Sequence, residues 1–553
     1  MDSNHLTDAR FGRRTSYYFG KLLWLVLITA TLTTAQVSTG VPNSSSAYNT
    51  PIQHVIVIIQ ENRSPTNLFQ DPILINNGAH IVQTGLCHGQ PVPLKPWSLA
   101  ACFEISHTHA QAWVPSYDNG MMDGACDIEN SYQDTCQTPL CPNSTAHCAA
   151  YTYTPNTKFD GVHGIMDPYY QVAEQYGFAN YMFQTNQGPS FPAHMFLFAG
   201  TSAPTTFPDD YYDWFAAENP QTPLDGAVGC PANPSNFALQ IDPNGVESKG
   251  YNNGFPCYDN HSLPDLLASV TPNITWRYYG TPPAYSYLNA PDAIQSICQA
   301  AGDNCAGPDW TNGDVVINPP QVLTDIQQCQ LPQVNWVIPD GHWSDHPGGG
   351  PQSDAGPSWI AAIVNALGSS SCPSPAANWN NTAILITWDD WGGFYDDVDP
   401  AQHVGLGYKN GNGNGQQYVY GFRVPLLVVS AYTKQTMRGT ASPFTGYISN
   451  ANHDFGSILN FIEYVFGHNG KSIGTIGPPD WPFADYFAPD APPTDLASPY
   501  GLSDFFNFGQ SHPFRQITGA RYAPSCFFNP ESCFENFPMA PDNDAFGAKR
   551  DDD

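Results

Sequence analysis

Two segments of this 553-residue chain end an apolar run in side chains that carry carboxylate or amide oxygens. In the first, HVIVIIQ is followed by Glu61 and Asn62; in the second, AILITW is followed by Asp389 and Asp390. Neighbouring carboxylates repel each other unless a cation or strong hydrogen-bond donors neutralise them. Hard oxygen ligands suit Ca²⁺, Mg²⁺ or Mn²⁺, and iron and zinc also accept them. We therefore predict a metal site, with a loop cap or a solvated turn as the alternative at each segment.

Ser190 is a candidate nucleophile because it stands between two prolines in GPSFPAH, just ahead of an apolar helical run at residues 194–199. A hydroxyl at a helix N-terminus is often an N-cap. The same position favours an anion, because free N–H groups and the helix dipole face it. Beside a cation, such a serine can attack phosphorus. The motif GxSxG is absent around it, which argues against an α/β-hydrolase esterase.

Histidines follow other predicted elements and could complete such a site. His107 and His109 lie two apart, and therefore on one side if that segment is extended. His342 and His346 follow a predicted strand, and His453 opens the last long predicted helix, where it or its neighbour is otherwise a cap. A lone histidine is usually structural. Several at element ends, beside two acidic strand ends, indicate a phosphate or metal site.

Strands and helices alternate along the chain and must position these side chains. Continuous Val/Ile runs are typical of strands buried on both faces of a parallel sheet, and ligands bind outside the carboxyl ends of such strands. Strand-like runs occupy residues 54–60, 275–279, 334–339, 383–388 and 424–430. Helical patterns occupy residues 168–176, 194–199, 263–270, 358–367 and 454–466. This alternation predicts an α/β sandwich around a mostly parallel sheet.

The long loops between these elements are rich in Cys, Pro and Trp, and we expect them to form insertions that cap the sheet edge. They occupy about residues 70–160, 200–260 and 280–330.

Lys and Arg number 18 against 49 Asp and Glu, a formal net charge of −31 at pH 7. So acidic a surface repels nucleic acid and anionic membranes, so we expect no nucleic-acid partner.

The N-terminus has the pattern of an export signal, with basic residues ahead of a short apolar stretch that ends in small residues. The stretch is shorter than the roughly 20 residues of a typical membrane span, so we expect cleavage near Ala35, with an uncleaved anchor as the alternative. No other stretch is long and apolar enough to span a bilayer. We predict a signal peptide at 1–35, a linker at 36–50, a catalytic domain at 51–500 and a wrapping tail at 501–553.

All 14 cysteines follow the predicted signal. An even number in an exported chain indicates as many as seven disulfides, whose connectivity the sequence does not give. Cys136, Cys141 and Cys148 cluster near His147, but their spacing is not that of a zinc knuckle. Disulfides are the favoured interpretation there, and the protein is predicted to be secreted or periplasmic.

Six ordered segments together resemble the phosphoesterase family that joins bacterial phosphatidylcholine-preferring phospholipases C to a respiratory-burst-inhibiting acid phosphatase. The matching segments are QENRS at 60–64, the histidine pair at 107 and 109, GPSFP at 188–192, VIPDG with SDHP at 337–347, TWDDWGGFYD at 387–396 and HDFGSIL at 453–459. The resemblance covers about residues 52–467 and is highly specific, because the six segments occur in order.

The resemblance implies an alkaline-phosphatase-like, three-layer α/β/α sandwich with one divalent metal ion, which is Ca, Mg, Mn, Fe or Zn. By position, the residues that resemble the metal ligands are Glu61, Asn62, Asp389 and Asp390. Ser190 resembles the nucleophile, which becomes transiently phosphorylated. His107 and His346 resemble the groups that bind phosphate oxygens or protonate the leaving group.

Two departures from the family pattern bear on the substrate. The family's phospholipases mostly carry Thr at the nucleophile, whereas Ser190 matches the acid phosphatase, and Asp397 stands where the family often has His. The chain also ends soon after the matching segments, where the larger phospholipases continue into further β domains. We therefore expect a metal-dependent phosphomonoesterase acting on a small phosphate ester.

Two alternatives stay open. One is a phospholipase C that recognises a phospholipid head group, in which Trp343, Trp388 and Trp391 either form a choline cage or simply pack. The other is an inactive secreted binding protein on the same fold, for polysaccharide or phosphate.

Overall fold

The computed structural model describes residues 50–100, 105–128, 149–205, 214–222, 224–242, 246–347, 354–405, 420–436, 443–467, 472–477, 483–490 and 500–534. The predicted signal peptide, the linker apart from Thr50, the cluster of Cys136, Cys141 and Cys148, and the last part of the predicted tail lie outside these residues.

An eight-stranded mixed sheet lies at the centre of the described residues. In chain order its strands are β1 (His54–Gln60), β2 (Gly177–Phe183), β3 (Trp276–Tyr279), β4 (Val315–Val316), β5 (Val334–Val337), β6 (Thr382–Trp388), β7 (Leu426–Ser430) and β8 (Tyr447–Asp454). Their order across the sheet is β4-β3-β5-β1-β6-β7-β2-β8. Within this sheet β7 alone runs antiparallel to its neighbours, so the carboxyl ends of the other seven strands meet at one edge.

Among the described residues, six helices of seven residues or more flank the sheet. They are α1 (Asp167–Gln175), α2 (Ser190–Ala199), α3 (Leu263–Ser269), α4 (Gln321–Gln327), α5 (Gly356–Gly368) and α6 (Phe455–Val465). α1, α4 and α5 form one contacting group, and α2, α3 and α6 form another.

The two helix groups cover opposite faces of the sheet. Trp336 of β5 and Trp388 of β6 are in register with β1 residues three positions apart, so their indoles emerge on opposite faces. Phe198 of α2 packs edge-on against Trp336, with ring centroids 5.0 Å apart. Tyr169 of α1 packs in the same way against Trp388, at 5.3 Å. The predicted α/β sandwich is therefore confirmed, with a layer of helices on each face.

Shorter elements decorate this core. Short α-helices span Pro65–Leu68, Pro72–Asn76, Val114–Tyr117, Gln295–Cys298, Pro308–Thr311, Pro400–His403, Ala484–Phe487, Ser525–Phe528 and Glu531–Phe534, and a π-helical turn spans His109–Trp113. Small sheets pair Thr84–Cys87 with Gln90–Pro93, Lys95–Pro96 with Thr152–Tyr153, Ala300–Ala301 with Asn304–Cys305, and Phe215–Ala216 with Gln240–Ile241 and Glu247–Ser248.

A second apolar cluster lies at the carboxyl edge of the sheet. It joins the described residues 82–97, 105–128 and 149–153, which we call the cap, to aromatic side chains that follow β6 and precede β7. In the cap, Cys87 and Cys126 form a disulfide. His88 stands beside these two sulfurs, but bonded sulfurs are not thiolate ligands, so these three residues form no metal site. The loop over about residues 70–160 was predicted to cap the sheet edge, and its described part does so.

Four further disulfides tie loops within the described residues. They join Cys230 to Cys257, Cys298 to Cys305, Cys329 to Cys372 and Cys526 to Cys533.

The described part of the predicted tail packs on the rest of the described chain. Phe506 stacks on Phe461 with ring centroids 5.0 Å apart, and the ring centroids of Phe527 and Trp343 are 5.2 Å apart. Within the described part of the chain, no helix has the length and apolar character needed to cross a membrane.

Candidate active site

The carboxyl ends of β1 and β6 lie side by side and bring the two acidic segments together. Gln60 pairs with Trp388 in register, so Glu61 and Asp389 are the next residues on neighbouring strands. The N–H of Asp389 donates to the Gln60 carbonyl at 2.9 Å, which continues the ladder by one residue. The N–H of Asn62 donates to Asp389 Oδ1, also at 2.9 Å. Glu61, Asn62 and Asp389 are all buried.

Two tight turns hold this contact. Asn62 has φ +52° and Gly392 has φ +64°. A Cβ added to Gly392 would lie 2.4 Å from the Asn62 carbonyl oxygen, so the second turn requires glycine for space as well as for conformation. The N–H of Arg63 donates to the Asp390 carbonyl at 2.9 Å, and the N–H of Gly392 donates to Asp390 Oδ1 at 2.6 Å.

Ser190 is the first residue of α2, and its hydroxyl donates to Asp390 Oδ2 at 3.3 Å. The N-cap is Pro189, and no side chain caps the helix in the usual way. The N-cap alternative for Ser190 is therefore wrong, because its hydroxyl points to the acidic cluster. The N–H of Phe191 donates to Asn219 Oδ1 at 2.8 Å, which satisfies a first-turn donor beside the hydroxyl.

His194 joins the site, although the sequence did not single it out. Its Nε2 lies 3.6 Å from Glu61 Oε1 and 3.7 Å from Asp389 Oδ2. His194 follows Ser190 by four residues, and residues four apart share a helix face. That spacing was the available signal. It was missed because α2 was predicted to begin at His194, whereas it begins at Ser190.

His107 and His346 flank the same cluster from different loops. His107 Nδ1 donates to the Ile105 carbonyl at 2.9 Å, and its Nε2 accepts from the Asn62 side-chain amide at 3.0 Å. His346 Nδ1 donates to the Pro347 carbonyl at 2.6 Å. The two imidazole centroids are 6.1 Å apart. Their hydrogen bonds assign Nδ1 as the protonated nitrogen of both rings.

Two other predicted histidines do not join this cluster. His109 begins a π-helical turn and stacks on Trp113 with centroids 5.7 Å apart, so the extended segment on which a shared side depended ends before it. His342 is hydrogen-bonded to Asp340, which follows β5.

His453 belongs to a separate cluster. It is the penultimate residue of β8 rather than the opening of a helix, and Asp454 is the N-cap of α6, accepting from the Ser457 N–H at 2.9 Å. His453 Nδ1 lies 2.7 Å from Asp490 Oδ2, and its Nε2 lies 3.5 Å from Asp504 Oδ1.

Burial dominates the electrostatics of the main cluster. Burial, then the Asp390 charge, raises the pKa of Glu61 to about 8. Burial, then the Glu61 charge, raises the pKa of Asp389 to about 7, and that of Asp390 is raised well above its usual value by burial and then by Asp389. Burial lowers the pKa of His194 to about 4, and burial with the His107 charge lowers that of His346 to about 3.

The donor atoms of this cluster fit a metal ion. Several are buried and make no hydrogen bond within the described part of the chain: Glu61 Oε1 and Oε2, Asn62 Oδ1, Asp389 Oδ2 and both ring nitrogens of His194. One ligand atom each from Glu61, His194 and Asp389 lie within 4.8 Å of one another. Buried polar atoms without partners are costly, and one divalent cation would satisfy the oxygen atoms together with one ring nitrogen of His194. Asp390 differs, because both of its oxygens accept hydrogen bonds.

Asp345 supports the site from behind, a role that the sequence did not reveal. Its Oδ2 accepts from the Tyr169 hydroxyl at 2.7 Å and from Trp388 Nε1 at 3.0 Å. Arg63 Nε donates to its backbone carbonyl at 2.8 Å. Asp345 precedes His346, so these bonds fix the loop that carries this imidazole.

Comparisons with known proteins show that this chain is similar to bacterial phospholipases C. The non-hemolytic phospholipase C of Pseudomonas aeruginosa is 23% identical over 440 residues, which are 75% of this chain and 54% of that protein. The hemolytic phospholipase C of the same organism is 22% identical over 441 residues, which are 75% of this chain and 53% of that protein. This chain thus spans about half the length of these curated relatives.

A shorter match connects the chain to a second genus. Phospholipase C A of Mycobacterium tuberculosis is 25% identical over 189 residues, which are 31% of this chain and 34% of that protein. The model of the phosphoesterase family matches residues 52–468, well over half of this chain. The chain therefore belongs to the phosphoesterase family.

Proposed function

We propose that this chain hydrolyses phosphoric esters, with Ser190 as the nucleophile and one divalent metal ion as cofactor. The observation that carries the proposal is the contact of the Ser190 hydroxyl with Asp390, next to buried oxygens of Glu61 and Asp389 Oδ2 that make no hydrogen bond among the described residues. Family membership supports the same chemistry. The catalytic domain is proposed to span residues 51–500.

In the first step, Ser190 Oγ attacks phosphorus in line with the leaving alkoxide, and the Oγ–P bond forms as the P–O bond to the alcohol breaks. Asp390 accepts the hydroxyl proton along the 3.3 Å hydrogen bond. Glu61, Asn62, Asp389 and Asp390 would hold the metal ion, which would supply positive charge to the phosphoryl oxygens when bound.

His107 and His346 are proposed to bind phosphoryl oxygens or to protonate the leaving alkoxide. Both rings are buried beside the cluster, and their centroids are 6.1 Å apart. A buried, neutral His346 gains affinity for a proton when a phosphoryl dianion enters. General acid catalysis of this kind contributes about 10²–10⁴-fold.

In the second step, water attacks the phosphoserine and gives a proton to the histidine that protonated the leaving alkoxide, the Oγ–P bond breaks, and Ser190 recovers its proton as phosphate leaves. Asp390 now acts in the reverse direction, because the same carboxyl group returns the proton that it accepted. This step makes hydrolysis, rather than transfer to the protein, the net reaction.

The Ser190→Ala variant tests the nucleophile. Turnover of p-nitrophenyl phosphate should fall to background while folding and secretion persist. Ser116→Ala is a matched control, because Ser116 is a buried serine of the cap. Wild-type-like hydrolysis by Ser190→Ala would exclude Ser190 as nucleophile.

Removal of metal tests the cofactor independently. We expect exhaustive chelation to abolish activity and the return of one of Ca²⁺, Mg²⁺, Mn²⁺, Fe²⁺ or Zn²⁺ to restore it, because three adjacent carboxyl groups require a cation. Full activity of the metal-free protein would contradict this role. Metal and phosphate binding without any turnover would instead favour the inactive binding protein.

Phospholipase C activity is the second candidate, because relatives with that name align with 75% of this chain. Ser190 argues against this activity, because the phospholipases of the family that the sequence resembles mostly have Thr at the nucleophile position. The indoles of Trp343, Trp388 and Trp391 are buried in packing contacts and offer no open choline cage. A higher kcat/KM on phosphatidylcholine than on p-nitrophenyl phosphate would favour the phospholipase.

We also propose that the protein is exported to the periplasm or secreted. Five disulfides among the described residues are typical of an oxidising compartment. N-terminal sequencing of the exported protein, with cleavage expected near Ala35, tests this proposal.

A further inference from the structure

His194 lies at the centre of the proposed metal site, but it is not among the metal ligands that the family resemblance implies. Its ring is buried at the start of α2, one turn after Ser190. Neither ring nitrogen makes a hydrogen bond within the described part of the chain. A buried imidazole without a partner is costly, so its surroundings require an explanation.

The distances favour a shared cation over a direct contact. Nε2 lies 3.6 Å from Glu61 Oε1 and 3.7 Å from Asp389 Oδ2, beyond the usual hydrogen-bond length for either oxygen. Ligand bonds of about 2.1 Å at angles near 110–120° place two donor atoms about 3.4–3.6 Å apart. The observed separations therefore match edges of a coordination polyhedron.

A purely structural imidazole would be placed differently. Two other buried histidines among the described residues have hydrogen-bond partners: His54 bonds to two carbonyl oxygens, and His453 bonds to a carboxylate. His194 faces Glu61 Oε1 and Asp389 Oδ2, which also make no hydrogen bond within the described residues.

We propose that His194 Nε2 is a ligand of the metal ion together with Glu61 and Asp389. This inference rests on the proposed metal-dependent function. An imidazole suits Fe²⁺ or Zn²⁺ best, whereas Ca²⁺, Mg²⁺ and Mn²⁺ favour oxygen ligands. His194 therefore favours Fe²⁺ or Zn²⁺ among the five candidates.

The proposal also links the nucleophile to the metal. Ser190 and His194 lie on one face of α2, so metal coordination at His194 fixes the first turn that carries the hydroxyl. The metal thus orients Ser190 through the helix backbone in addition to its effect on the phosphoryl group.

Pulsed electron paramagnetic resonance on the Mn²⁺-loaded full-length protein tests the nitrogen ligand. Wild type should show a directly bound ¹⁴N nucleus that becomes ¹⁵N when histidine is labelled. His194→Gln should lose this signal and bind Mn²⁺ at least ~10-fold more weakly, whereas His88→Gln, at an exposed site, should change neither.

Metal competition provides the second measurement. Dialysis against an equimolar mixture of the five ions, followed by elemental analysis, should give Fe²⁺ or Zn²⁺ in wild type and reduced selectivity over Ca²⁺ and Mg²⁺ in His194→Gln. If His194→Gln does not fold, His107→Gln and His346→Gln serve instead, and both must keep the nitrogen signal.

The outcomes separate the two proposals. Bound Mn²⁺ without a histidine nitrogen signal in wild type, or an unchanged signal in folded His194→Gln, overturns the ligand role and leaves the metal-dependent phosphoesterase intact. Full activity of a metal-free wild type overturns both.

Discussion

Close approach of two turns decides whether the carboxylates of the site can meet. The Asn62 carbonyl lies where a side chain on Gly392 would begin, and Gly392 has a positive φ. These two residues follow different strands, so one added methyl group at position 392 must push β1 and β6 apart at their ends.

Gly392→Ala should therefore lower both stability and activity. Positive φ costs Ala about 1–2 kcal/mol, and the 2.4 Å contact adds to that cost by displacing Asn62. Gly161→Ala is the matched control, because Gly161 has φ +83° with open space around it and carries only the conformational cost. Denaturant unfolding and kcat measure the difference. Equal effects of the two substitutions would show that the close contact is unimportant.

Residue patterns predicted most of the acidic cluster, because Glu61 and Asp389 follow apolar strands directly. Parallel strands end at one sheet edge, so the sequence implied their proximity. This reasoning could not predict that His194 lies beside the carboxylates, because the position of His194 depends on where α2 begins. The sequence also could not show that His109 begins a π-helical turn, because such a turn has no clear sequence pattern.

At the scale of elements, His453 connects β8 to two segments that follow α6. Burial lowers its pKa, but the carboxylates of Asp490 and Asp504 outweigh this effect and raise it to about 10. Ser449 donates to Asp504 at the same place, and Lys434 acts electrostatically on Asp504. A charged His453 therefore fastens these segments to the sheet.

Stability should consequently fall between about pH 6.5 and pH 10. The folded protein holds the His453 proton over this range and the unfolded chain does not, so stabilisation is complete below pH 6.5 and is lost as pH rises through about 10. His453→Gln should flatten this decline, which has a slope of at most about 1.4 kcal/mol per pH unit. Thermal unfolding across the range measures it. A parallel pH profile for the variant would contradict the ion-pair role.

The cap offers a second prediction at this scale. Cys87 and Cys126 are 39 residues apart and enclose His107, whereas Cys526 and Cys533 are 7 apart and enclose no proposed site residue. Loop-closure entropy predicts a loss of about 4 kcal/mol for the double serine variant of the first pair and about 2.5 for the second. Only the first should also lower kcat. Equal kcat in both variants would show that His107 is held by other contacts.

Element prediction succeeded for strands with continuous apolar runs and failed for others. β2 and β8 were missed because GFANYMF and YISNANHD carry polar residues within the strand. β8 lies at the sheet edge and is partly exposed, so selection for an apolar run is weak there. β4 is a two-residue strand, too short for any periodic signal.

At the scale of the whole molecule, the net charge of −31 opposes the approach of an anionic substrate. Screening shortens the range of this repulsion from about 30 Å at 0.01 M salt to about 8 Å at 0.15 M. The kcat/KM for p-nitrophenyl phosphate should therefore rise with NaCl over this range, and that for a zwitterionic choline phosphodiester should change less. If kcat/KM for p-nitrophenyl phosphate instead decreased as the salt concentration rose, a local positive potential at the site would dominate over the net charge.

The position of β1 constrains when the active site can exist. Both neighbours of this strand come from much later in the chain, and the contact between Asn62 and Asp389 spans 327 residues. At a synthesis rate of about 5–20 residues per second, β1 waits roughly 15 to 65 seconds for its partner. During that interval an apolar strand lacks its sheet, so it needs shielding by a chaperone or the export machinery. The same delay keeps the nascent chain inactive, because Glu61 and Ser190 are synthesised long before the residues that complete the proposed site.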